Sequence, residues 1–139
     1  MTNGPSDSAE PVELKLDAVP PSVPRARRLA ADYAERYGAE ANGVELTVAE
    51  AVANCVLHGF RDREPGTVCV RVSLEPDALV VVVADDGTGM QPNPGGAGLG
   101  LGLPLIGQLT STFTVSERKA GGTAVRMTFP LLGRQAANA

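Results

Sequence analysis

Glu50, Asn54 and His58 fall at i, i+4 and i+8 of the stretch LTVAEAVANCVLHGF, Leu46 to Phe60. On an α-helix that spacing puts all three on one face. Polar groups aligned on a mostly apolar background must be solvated, paired with one another, or aimed at something. A carboxylate such as Glu50 can take a proton from an attacking hydroxyl or water. An amide oxygen such as that of Asn54 can ligate Mg2+, which prefers oxygen and keeps several of its waters. His58 could face an anion or make a structural hydrogen bond. Taken singly, Glu50 and Asn54 would default to solvated helix positions.

A second cluster lies downstream. VVVADDGTGM closes an apolar run with two aspartates and a D-x-G-x-G pattern, Asp85, Gly87 and Gly89. A carboxylate at a strand end can accept from an amino group held in a pocket, adenine's exocyclic amine being one candidate. Glycines there let the backbone turn with positive φ and approach a flat ligand. An ordinary Asp-Gly turn would read the same way. Further on, GAGLGLGLP places Gly98, Gly100 and Gly102 ahead of a helical pattern. Backbone N–H groups at a helix start bind anions, and the helix dipole assists. With no G-K-[ST] this is not a P-loop, and with no βαβ unit and ribose-binding acid it is not the dinucleotide fingerprint. A plain flexible loop is the competing reading. A triphosphate over the loop would need a cation, and Asn54 could help hold it.

The elements that must position these residues follow from patterning. VELKLDA alternates as a strand should. A helix follows, started by Ser22 or the prolines near it and ended by Gly38, with an apolar stripe of Val23, Ala26, Leu29, Ala30, Tyr33 and Tyr37. The second helix is predicted from about Gly43 to His58. VCVRVSLE alternates Val68, Val70, Val72 and Leu74 inward. LVVVVADD is apolar on both faces, which predicts a central, covered strand. Another helix is expected from near Leu103 and Pro104, then strands TFTVSERK and TAVRMTFPL joined by AGG. The fold class is therefore α+β: an open two-layer α/β sandwich, its sheet mixed but mainly antiparallel, with helices on one face. Residues 1–10 and 133–139 read as disordered or frayed tails around one domain, 11–132.

Composition narrows the functions. At 139 residues and 43% hydrophobic, the chain can build one core, and with no Trp that core is mainly Val, Leu and Ala. A net charge of −4 argues against a nucleic-acid surface. Arginines cluster at Arg25, Arg27 and Arg28 and at Arg61 and Arg63, as solvated faces or as contacts for an acidic partner. Cys55 and Cys69 lack metal spacing and read as buried thiols. No apolar run approaches a membrane span and no signal core is visible, so the expected protein is cytoplasmic, with no membrane partner.

Jointly and in order, EAVANCVLH (50–58), DDGTG (85–89), GLGLPLI (100–106) and GGT (121–123) resemble the ATP-binding domain shared by gyrase-type topoisomerases, histidine kinases and the ninety-kilodalton chaperone. The pattern is most similar to the RsbW-type anti-sigma-factor serine/threonine kinases of that GHKL superfamily, and PPSVPRARRLAADYAERYG resembles their first helix. The resemblance covers roughly residues 12–131. It implies the Bergerat-type ATP-binding fold. It implies Asn54 as a Mg2+ ligand, Glu50 as general base, Asp85 on the adenine amino group with Thr123 in support, and Gly87, Gly89, Gly98, Gly100 and Gly102 shaping a lid over ATP. The implied activity is phosphoryl transfer from ATP to a serine or threonine of a STAS-domain anti-anti-sigma factor, together with sequestration of a sigma factor by a homodimer. The first helix, whose arginines flank an apolar stripe, is the expected dimer face. Histidine kinases proper fit less well, because nothing here supplies their phosphoacceptor helix pair.

One departure favours an alternative. The lid segment Gln91–Gly102 holds no Arg or Lys, whereas related kinases often place an arginine there to offset charge on the transferred group. The alternative is a catalytically weak or inactive ATP-binding module that sequesters a regulator by contact alone. An interaction domain without nucleotide is a third possibility.

Overall fold

A computed structural model describes residues 10–59, 66–86, 109–119 and 121–132, with the side chains of residues 58 and 59 left out. The chain forms β1 (Val12–Asp17), α1 (Ser22–Tyr37), α2 (Ala41–Asn54), a π-helical turn (Cys55–Gly59), β2 (Thr67–Glu75), β3 (Ala78–Asp85), β4 (Thr112–Glu117) and β5 (Thr123–Pro130). Five strands make one sheet in the order β1-β2-β3-β5-β4. Every pairing among the described residues is antiparallel, so the sheet expected as mixed has no parallel pair in this part of the chain.

Alternation builds the core. Val68, Val70 and Val72 of β2 and Leu79, Val81 and Val83 of β3 face the helices and are fully buried. Val125, Met127 and Phe129 of β5 continue the same layer. β3 is central, as its run of valines predicts. Among the described residues it is not covered on both faces, because Val82 and Ala84 are only half-buried on the face away from the two described helices. On that face Arg126 pairs with Glu75 at 2.6 Å.

The first helix follows its sequence signals closely. Ala26, Ala30, Tyr33 and Ala34 are buried, and Gly38 ends the helix at φ 91° with its N–H on the Ala34 carbonyl. Pro21 occupies the cap position without a side-chain bond, while the Ser22 hydroxyl reaches back to the Asp17 carbonyl at 2.6 Å. Most of the apolar stripe packs in or against this chain's own core, and Leu29 stays half-buried outside it. Arg25, Arg27 and Arg28 remain exposed, and Arg27 bridges to Glu45 of α2 at 3.3 Å.

The second helix starts two residues before the expected Gly43. The Glu40 carboxylate accepts from the N–H groups of Asn42 (3.1 Å) and Gly43 (2.8 Å), an N-terminal cap that a search for Ser, Thr, Asp or Asn passes over. Its α-helical part ends at Asn54, earlier than His58, where the backbone widens into the π turn. The two tails, the turn after Phe60, the lid and the helix expected near Leu103 lie outside the described residues.

Candidate functional site

At one end of the sheet three strands bring polar groups under the helical layer. Register sets Asp85, the last residue of β3, between Val68 of β2 and Thr123, the first residue of β5. Asp85 has no exposed surface and Thr123 is 5% exposed. A carboxylate so buried needs hydrogen-bond donors. One is the thiol of Cys55, which donates to Asp85 Oδ2 across 3.3 Å. Burial, then the adjacent Asp85 charge and this hydrogen bond, push the Cys55 thiol well above its ordinary range, so it keeps its proton.

The neighbouring aspartate has another task. Asp86 is exposed, and its Oδ1 accepts from the Thr67 N–H at 3.0 Å, tying the strand end to the start of β2. Of the pair in DDG, only Asp85 faces inward.

Asp85 is also fixed through its backbone. Arg118, at the end of β4, donates from Nη1 to the Asp85 carbonyl at 2.8 Å. The turn beyond it brings Gly122 (φ 93°) so close that a Cβ there would lie 1.9 Å from that same carbonyl oxygen. Glycine is required at this position by space and by conformation together.

α2 supplies the other half of the site. Its α-helical register keeps Glu50 and Asn54 one turn apart, and Glu50 is half-buried. Asn54 is 3% exposed, and its Oδ1 has no hydrogen-bond partner among the described residues. Thr47, two turns earlier, is a useful contrast. It is equally buried, but its hydroxyl is satisfied by the Gly43 and Val44 carbonyls at 3.0 and 3.1 Å. A buried unpaired polar atom costs about 1–3 kcal/mol, and a ligand would remove that cost. An amide oxygen is a hard donor of the kind Mg2+ takes, and the described residues hold no cluster of three His, Cys, Asp or Glu. The donor set therefore fits a cation held by one protein oxygen, waters and phosphates.

The structure thus brings Glu50, Asn54, Asp85 and Thr123 to one end of the domain. His58 has its backbone in the π turn, where one extra residue per turn breaks the i+8 alignment with Glu50; its side chain lies outside the described residues. So do Gly87, Gly89, Gly98, Gly100 and Gly102. Sequence reasoning read Cys55 as a buried thiol and missed its bond to Asp85. It also missed Arg118. No local signal marks Arg118, because its contact depends on the pairing of β4 with β5.

The fold is that of the histidine kinase-like ATPase domain, whose family profile matches residues 16–129. The serine-protein kinase RsbW of Bacillus velezensis is 30% identical over 120 residues, covering 84% of this chain and 71% of that protein. Its counterpart in Bacillus subtilis is 28% identical over 119 residues. The anti-sigma F factor of Clostridium novyi is 36% identical over a shorter 52-residue stretch, 37% of this chain and 36% of that protein. A crystal structure of the RsbU and RsbW domains of a Mycobacterium tuberculosis protein superposes with a TM-score of 0.68 at 24% identity, covering 88% of this chain and 32% of that one; it shows the shared fold. The chain belongs to the histidine kinase-like ATPase family, in the branch of the RsbW-type serine-protein kinases.

Proposed function

We propose that this chain is an anti-sigma factor with ATP-dependent serine/threonine kinase activity. It phosphorylates a STAS-domain anti-anti-sigma factor and sequesters a sigma factor. The observation that carries the reading is the buried pair at the strand end and helix end: a carboxylate, Asp85, that can read an amino group, and an amide oxygen, Asn54 Oδ1, without a partner among the described residues, that can meet a cation.

The roles follow from chemistry. Asp85 accepts from the adenine amino group, with Thr123 beside it on β5. Asn54 offers its oxygen to Mg2+, which when bound offsets phosphate charge. Glu50 takes the proton of the substrate hydroxyl as that oxygen bonds to the γ-phosphorus and the bond to the β–γ bridging oxygen breaks. The glycines at 87, 89, 98, 100 and 102 would shape the lid, and His58 is the candidate to meet the phosphates. With no Arg or Lys between Gln91 and Gly102, transfer is expected to be slow. The working unit spans residues 11–132 between its tails and acts as a cytoplasmic homodimer; no described helix is long and apolar enough to cross a membrane.

Incubation with γ-labelled ATP and a STAS-domain partner tests this. Label should pass to the partner, and Glu50→Ala should abolish transfer while keeping ATP affinity within about twofold. Tight ATP binding without transfer by the native chain would instead identify a contact-only sequestering module. No binding at all would reject the nucleotide reading.

A further inference from the structure

We propose that Cys55 is a positioning residue for nucleobase reading, its thiol holding the Asp85 carboxylate in the orientation that meets the adenine amino group. This rests on the reading of Asp85 given above and goes beyond it to a residue with no chemistry of its own in the reaction.

Cys55 and Asp85 are both fully buried, and Sγ lies 3.3 Å from Oδ2. The contact joins elements 30 residues apart in the chain, so it fixes the helix end against the strand end. Cys55 is itself held firmly. Its N–H points to the carbonyls of both Ala51 and Val52, at the point where the α-helix widens into the π turn. It directly follows Asn54. One backbone step therefore serves both ends of the nucleotide, Asn54 toward the cation and Cys55 toward the residue that reads the base.

A carboxylate at a strand end can rotate about its side-chain torsions. From the far side, Arg118 and Gly122 restrain only the backbone of Asp85. The thiol, by contrast, meets the carboxylate itself at Oδ2.

The full-length protein with Mg2+ provides the test. Affinities for ATP and for purine riboside triphosphate, which lacks the 6-amino group, are measured by calorimetry for the native chain, Cys55→Ala, Cys55→Val and Cys55→Ser. Thermal melts establish that each variant is folded. Losing one hydrogen bond to a charged acceptor should weaken ATP binding about tenfold in the Ala and Val variants. Binding of the 6-desamino nucleotide should change less than about twofold, so discrimination collapses. Serine keeps a donor and should restore most of the preference for ATP. A parallel loss for both nucleotides would reduce Cys55 to packing and overturn the inference, as would unchanged discrimination in Cys55→Ala. A native chain that does not discriminate would overturn the adenine reading of Asp85 itself, and that result is distinct from either outcome in the variants.

Discussion

The two ends of the sheet are built from the same strands under the same helices, yet they hold opposite kinds of residue. At the end where β3 begins, Leu79 pairs with Phe129, Leu131 bridges to Ala39, and the Leu132 N–H meets the Gly38 carbonyl at 2.7 Å. Leu79, Phe129 and Leu131 there are apolar and buried, and the backbone groups joining strand to helix end are satisfied. At the end where β3 stops, the corresponding buried positions are Asp85, Thr123, Cys55 and Asn54. The first end lowers the free energy of the fold by removing apolar surface from water. The second keeps polar atoms in a dry layer, one of them unpaired among the described residues. Apolar and polar burial are thus divided along one strand.

That division can be broken most severely at the apolar end. Phe129 is 2% exposed, and Phe129→Ala should cost about 3–5 kcal/mol in urea unfolding. The preference for ATP over its 6-desamino analogue should survive in whatever fraction remains folded.

A smaller effect sharpens the polar end. The Cys55 thiol is raised in the folded state, so above pH ~8.5 the unfolded chain releases this proton while the folded chain keeps it. The unfolded state then binds fewer protons, and stability falls as pH rises; the contribution is whole below the unfolded value and lost above it. Tyr33 and Cys69 shift the same way, so the difference between native and Cys55→Ala isolates Cys55. That difference should change by up to ~1.4 kcal/mol per pH unit. A flat difference from pH 8 to 10 would mean the thiol is not buried against Asp85.

The smallest change has the opposite sign. Asn54→Leu replaces a buried amide, whose oxygen has no partner among the described residues, with an apolar group and should raise stability without nucleotide by about 1 kcal/mol. In the same variant the Mg2+-dependent part of the ATP thermal shift should vanish. Lower stability in this variant would show that the Asn54 oxygen already has a partner in the free protein.

The elements were legible because their signals are local. The stripe of α1, its glycine stop and the alternation of β2 and β5 each follow from side-chain periods of 3.6 and 2. Misreadings came where the period alone does not decide the outcome. Glu40 capped α2 and moved its start, the π turn shortened its α-helical part, and the face away from the described helices left Val82 and Ala84 half-open. The candidate site was legible in part, since Glu50 and Asn54 are spaced by the helix and Asp85 by the strand.

By itself the sequence determined which residues could bear chemistry, because helix and strand repeats assign each side chain to a face regardless of what packs there. Only the tertiary structure decided which of two adjacent aspartates turns inward and that a thiol meets it. It also decided that Gly122 must have no side chain and that the Asn54 oxygen is buried without a partner among the described residues. Those outcomes depend on the register of β3 against β5 and on the docking of α2 over them, and burial is a property of that assembly, absent from any local stretch of chain.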